Sequence, residues 1–128
     1  MQIEHAGIQV KEPAAMADWY IKHLGFKCKR SADKPVPVRF IADTGGKVML
    51  EVYNNPDARM PDYESMDPLL LHVAFTCEDP GPTADRLVRA GARLVSGPEK
   101  KPNGDELVML RDPWGLPIQL CRRASPMV

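Results

Sequence analysis

Apolar and polar residues alternate from 2 to 10 with the period of a half-buried strand, and at Pro13 the period changes to that of a helix. Met16, Trp19, Tyr20 and Leu24 then share one stripe, opened by Pro13 where a first helical turn tolerates it and closed by Gly25. Three short strand-like runs follow, at about 26–31, 36–43 and 47–53. Thr44-Gly45-Gly46, between the last two, reads as a hairpin turn. After a Pro- and Asp-containing stretch at 54–68 the order begins again. Residues 69–77 read as a strand, Ala84, Leu87 and Val88 mark a helix between Pro82 and Gly91, and strands are expected at 93–96, 106–111 and 116–122. Asp112-Pro113-Trp114-Gly115 makes a tight turn, with Pro at its second position and Gly at its fourth. The pattern predicts an α+β fold of two tandem βαβββ modules forming a curved mixed sheet. Module one covers about 1–54, a linker about 55–68 and module two about 69–123, within a single domain spanning 1–128.

Polar residues able to bind metal keep step with this repeat. His5 and His72 stand on the first strands of the two modules, 67 positions apart, and Glu51 and Gln119 on the last strands, 68 apart. Side chains alternate across a strand, so Leu50 and Val52, Leu71 and Val73, and Ile118 and Leu120 can pack toward the helices while Glu51, His72 and Gln119 face the other way. Curvature of the sheet would turn that second face into a cleft. A single His or Glu in such a strand is ordinarily a partly exposed residue or one satisfied by a core hydrogen bond. Four in step are harder to explain so, because a carboxylate beside two imidazoles is costly to bury unless paired or bound to metal. His23, late in the helix and without a counterpart in the second module, reads as a solvated residue or a partner of the helix C-terminal dipole.

Composition narrows the function classes. The chain has 128 residues, 44% of them apolar, enough for one modest core. Its 17 basic and 17 acidic residues cancel without runs of like charge, so nothing marks it for nucleic acid or an anionic membrane. No apolar stretch approaches the roughly 20 residues that span a bilayer, and residues 1–20 lack a signal-peptide pattern, which points to a cytoplasmic protein. Three cysteines, at 28, 77 and 121, form no C-x-x-C pair and are expected as free thiols. The expected partner is a small molecule or a second copy of the chain.

Several of these segments together resemble the vicinal oxygen chelate superfamily, which includes glyoxalase I, extradiol dioxygenases, fosfomycin-modifying transferases and bleomycin-binding proteins. The resemblance is carried by Ile3-Glu4-His5-Ala6-Gly7-Ile8, Trp19-Tyr20 with Leu24-Gly25-Phe26, Leu50-Glu51-Val52, Leu71-His72-Val73-Ala74-Phe75, and Asp112-Pro113-Trp114-Gly115 running into Ile118-Gln119-Leu120. It covers nearly the whole chain and is closest in pattern to glyoxalase I-like proteins. It implies that His5, Glu51, His72 and Gln119 hold one divalent metal ion, and that the chain is a homodimer. In glyoxalase I-like members the last position is a Glu that moves the substrate proton; Gln119 has no titratable group, which leaves Glu51 for that task. Gln9 stands where such proteins often carry an Arg that clamps a glutathione carboxylate, and an amide cannot make that charged contact. Asn55 matches a glutathione-contacting Asn.

Two imidazoles, one carboxylate and one amide oxygen suit Ni, Co, Zn, Fe or Mn without choosing among them. The expected activity is that of a metal-dependent lyase or isomerase acting on a small substrate with adjacent oxygens, with Asn55, Met109 and Cys121 as substrate contacts. The alternative is a non-catalytic drug- or metabolite-binding protein of the bleomycin-resistance type, in which Trp114, Met109 and Cys121 line the cleft. A third reading is a scaffold whose metal site has decayed at Gln119.

Overall fold

The changes of period in the sequence become element boundaries. The computed structural model describes residues 1–127 and comprises two units, Met1–Pro61 and a second beginning at Asp62, each with its own four-stranded mixed sheet and helix.

The first unit runs β1 (His5–Gln9), α1 (Pro13–Leu24), β2 (Lys27–Ala32), β3 (Val38–Ala42) and β4 (Met49–Tyr53). Pro13 opens α1, and Gly25 ends it in the left-handed region at φ 75°, its N–H donating to the Tyr20 carbonyl. Met16, Ala17, Trp19 and Tyr20 are buried, with Tyr20 edge-on to Phe26. The strand order is β1-β4-β3-β2, with β1 parallel to β4 and the other pairs antiparallel. Ile41, Leu50 and Val52 make the buried face that α1 covers. His23 packs its ring against Trp19.

The second unit repeats this plan with β5 (Val73–Thr76), α2 (Pro80–Arg89), β6 (Arg93–Lys100), β7 (Glu106–Arg111) and β8 (Pro117–Arg122) in the order β5-β8-β7-β6, β5 being parallel to β8. Val108, Leu110, Ile118 and Leu120 are sealed beneath α2, which buries Ala84 and Leu87. The α+β class and the two tandem βαβββ modules are therefore as the pattern predicts. At the 112–115 turn, Asp112 Oδ1 accepts the N–H groups of Trp114 and Leu116.

Three expectations need correction. The strand expected at 69–77 begins only at Val73, because Asp67 captures the preceding backbone: its Oδ1 accepts the Leu69 N–H and its carbonyl the Leu70 N–H. Leu69 and Leu70 are accordingly 82% and 79% exposed, and His72 precedes the strand instead of standing on it. Val88 is an exposed residue of α2, not part of its buried stripe. The strand expected at 93–96 continues to Lys100 through an irregular register, where Gly97 at φ 94° passes so near the Leu107 carbonyl that a Cβ would lie 2.5 Å from it.

The stretch between the modules is fastened by two buried polar side chains. In the first unit, Gln9 Nε2 donates to the carbonyls of Asn55 (2.7 Å) and Ala58 (3.3 Å), and its Oε1 accepts the Asn55 N–H (2.9 Å). In the second, Arg111 donates to the carbonyls of Tyr63, Met66 and Gly115. Among the described residues no helix is long and apolar enough to cross a membrane.

Candidate functional site

Strand alternation sorts the candidate residues in the first unit. Leu50 and Val52 point to α1, so Glu51 between them leaves the opposite, open face, where its register neighbours are Gly7 on β1 and Phe40 on β3. His5, the first residue of β1, lies on that face with Nε2 3.4 Å from Glu51 Oε2. Its other nitrogen, Nδ1, is hydrogen-bonded to the Glu4 carboxylate, and its ring stands edge-on to Phe40 with centroids 5.5 Å apart. The hydrogen bond to Glu4 raises the His5 pKa above the ordinary histidine value. Partial burial opposes this shift, and the charges of Glu4 and Glu51 reinforce it. The structure thus brings together two of the four metal-capable residues in one unit and supplies a carboxylate partner, Glu4, that the spacing argument passed over.

In the second unit His72 is exposed, and its Nδ1 lies 2.8 Å from the Pro68 carbonyl oxygen. A carbonyl can only accept, so Nδ1 is the donor in this contact and Nε2 is left for another partner. Gln119 is half-buried on β8 between Ala74 of β5 and Met109 of β7. Its Oε1 accepts the Cys121 thiol at 3.2 Å. Gln119 and Met109 line a cavity of about 320 Å³ with Leu69, Val95 and Leu107, and an ion pair of Lys101 with Glu99 stands among its polar residues. Cys121 lines a separate cavity of about 540 Å³ with Thr76, Cys77 and Arg123, and burial pushes its thiol pKa up.

The remaining candidates fall as follows. Asn55 belongs to the first unit, its backbone held by Gln9 and its side-chain oxygen accepting the Asp57 N–H in a local turn. Trp114 is half-buried in the 112–115 turn. Cys28, Cys77 and Cys121 are free thiols. Among the described residues, no group of three or more His, Cys, Asp or Glu side chains is gathered to hold a metal ion. Of the four expected ligands, the second unit carries His72 and the amide of Gln119. The donors present nevertheless fit metal chemistry in kind. His5 and Glu51 stand as neighbouring ligands do, and both histidines have Nδ1 tied to an acceptor oxygen, the arrangement that orients imidazole ligands in metal sites. Sequence reasoning passed over Glu4 as the partner of His5, and read Gln9 only as lacking a charged clamp, not as the side chain that holds Asn55.

Comparison with known proteins agrees with this architecture. The family model of the glyoxalase/bleomycin resistance protein/dioxygenase superfamily matches residues 2–120. No curated protein matches the chain. Similar solved structures include a superfamily member from Sphaerobacter thermophilus DSM 20745 (TM-score 0.76, 18% identity, covering 96% of this chain and 98% of that one). The antibiotic binding protein TnmS3 from Streptomyces sp. CB03234 superposes with TM-score 0.74 at 18% identity, covering 97% of each chain. TioX from Micromonospora sp. ML1 gives 0.67 at 21% identity, over 96% of this chain and 99% of that one. At these identities the structures speak to fold alone, whereas the family model spans almost the whole sequence. The chain belongs to the glyoxalase/bleomycin resistance protein/dioxygenase superfamily.

Proposed function

We propose that the protein is a divalent-metal-dependent lyase or isomerase of the glyoxalase I-like kind, acting on a small substrate with adjacent oxygens, with His5, Glu51, His72 and Gln119 as metal ligands. The observation that carries this reading is the shared state of the two histidines: each has Nδ1 engaged by an acceptor oxygen, Glu4 or Pro68, which reserves Nε2 for a ligand. A bound divalent ion would supply Lewis acidity to the substrate oxygens. The chain's own part is proton movement: Glu51, the one carboxylate among the proposed ligands, takes a proton from the carbon beside a substrate carbonyl and returns it. Gln119 orients without titrating.

A second reading, a drug- or metabolite-binding protein, is favoured by the cavity beside Gln119, whose walls of Leu69, Val95, Leu107 and Met109 suit an apolar ligand. Metal analysis separates the two. About one divalent ion per chain in protein purified without chelator or metal resin, lost in a His5→Ala, His72→Ala double variant, supports the enzyme. No metal even after supplementation sinks it in favour of ligand binding. We further propose a cytoplasmic homodimer, since β1 and β5 end their sheets and Leu69 and Leu70 leave an apolar patch beside β5. Light scattering should return about twice the 14.3 kDa chain mass.

A further inference from the structure

The open face of the first unit carries a polar group that neither the proposed ligands nor the fold employs. Tyr53 follows Glu51 by two residues on β4, so both side chains leave the same face, and the β1 residue in register with Glu51 is Gly7. A Cβ at Gly7 would lie 3.3 Å from Tyr53 Cε1, 3.5 Å from Glu51 Oε2 and 3.8 Å from Tyr53 Oη. The side chain that Gly7 lacks is therefore the gap toward which the Glu51 carboxylate and the Tyr53 phenol both lean. Gly7 is not among the positive-φ glycines, so what it provides is space and not backbone freedom. The Glu51 oxygen at this gap, Oε2, is the same one that faces His5 Nε2. Phe40 flanks Glu51 on the side away from Gly7. Tyr53 is half-buried, and its hydroxyl has no hydrogen-bond partner among the described residues. A phenol in that setting is satisfied by water or by a ligand.

We propose that the Tyr53 hydroxyl is a ligand-contacting donor, hydrogen-bonding an acceptor oxygen of a molecule with adjacent oxygens that enters the gap over Gly7 beside Glu51. The pair of groups sets the polarity of that molecule. Tyr53 donates and the Glu51 carboxylate only accepts, so a carbonyl or alkoxide oxygen goes to Tyr53, and a hydroxyl or a carbon losing its proton goes to Glu51. The inference rests on the metal reading above, and its test is arranged to tell the two apart.

Cobalt(II)-loaded wild type, Tyr53→Phe and Gly7→Ala are titrated with acetohydroxamate, whose two oxygens are adjacent, and binding is followed by cobalt absorption. Cobalt content and thermal melting are recorded for each. The Tyr53→Phe protein should hold cobalt as the wild type does and bind the hydroxamate about fivefold more weakly, the effect of one lost hydrogen bond. Gly7→Ala, which narrows the gap, should weaken binding in the same sense. Equal hydroxamate affinity in Tyr53→Phe and wild type, or no hydroxamate binding by cobalt-loaded wild type, overturns the Tyr53 assignment and leaves the metal site standing. Failure of the wild type to take cobalt overturns both.

Discussion

Replacing Arg111 by alanine tests how the second unit holds its entering segment. The guanidinium is buried, and its hydrogen bonds go to three neutral carbonyls: Nη1 donates to Tyr63 O at 2.5 Å and Gly115 O at 3.0 Å, and Nη2 to Met66 O at 2.6 Å. Each hydrogen bond involving a charged group contributes about 1.5–3 kcal/mol, and each buried carbonyl left without a donor costs about 1–3 kcal/mol. Residues 63–66 can turn their carbonyls toward water once released, so the terms do not add in full, and we expect a net loss of about 3–4 kcal/mol. For a chain of this size that corresponds to a fall in Tm of roughly 10–15 °C. Urea unfolding followed by circular dichroism gives the number directly. Arg111→Lys keeps the charge but not the fork, and should recover only part of the loss. Arg93→Ala breaks an exposed ion pair to Glu64 and should cost less than about 1 kcal/mol. An Arg111→Ala protein within 1 kcal/mol of wild type, or a lysine variant equal to it, would refute the reasoning.

Other consequences can be checked in the same preparations. Asp105 accepts the Ala124 N–H and the Arg123 guanidinium, contacts that hold its carboxyl below the ordinary range. Its stabilising effect is therefore present above about pH 4 and lost as pH falls through the lowered value, so the Tm deficit of Asp105→Asn at pH 7 should close on acidification. A deficit that widens toward pH 3 contradicts this. Gly115→Ala should cost about 1–3 kcal/mol, because φ is 84° and its Cβ would sit 3.0 Å from Glu64 N. Gly46→Ala, at φ 69° with open space around it, should cost about 1 kcal/mol, and equal losses would show that crowding contributes nothing. Because the hydrogen bond of Nδ1 to Glu4 raises the His5 pKa, protons compete with metal at Nε2: zinc affinity should fall at least about fivefold from pH 8 to pH 6, and Glu4→Gln should shift the fall to lower pH. An affinity independent of pH argues against His5 as a ligand.

Period and punctuation were enough to read α1 and most strands, because Pro13 and Gly25 act through backbone chemistry that no tertiary contact alters. The apolar run at 69–73 misled for the converse reason: hydrophobicity alone reads Leu69–Leu71 as strand, while one carboxylate, Asp67, folds the same residues into a turn. The pairing of His5 with Glu51 was foreshadowed by strand alternation, since both residues belong to strands whose other faces are apolar. What could not be foreseen depends on register between distant strands. Gly7 opposite Glu51, with Tyr53 leaning over it, follows from the parallel pairing of β1 with β4, and the grip of Gln9 on Asn55 from a contact across 46 residues.

The repeat copies the fold more faithfully than the chemistry. His5 is backed by a carboxylate and faces another, whereas His72 is backed by a backbone carbonyl, and the amide at 119 already accepts a thiol. A carboxylate partner makes an imidazole the stronger donor, so on the metal reading the first module supplies most of the affinity. A single ligating carboxylate then leaves a divalent ion with about one formal positive charge, which favours an anionic oxygen in the remaining positions. A hydroxyl donor beside Glu51 favours the same kind of ligand, because the charge on that oxygen strengthens the hydrogen bond it accepts. On the metal reading, the single ligating carboxylate and the position of Tyr53 therefore favour the same ligand chemistry, an anionic oxygen.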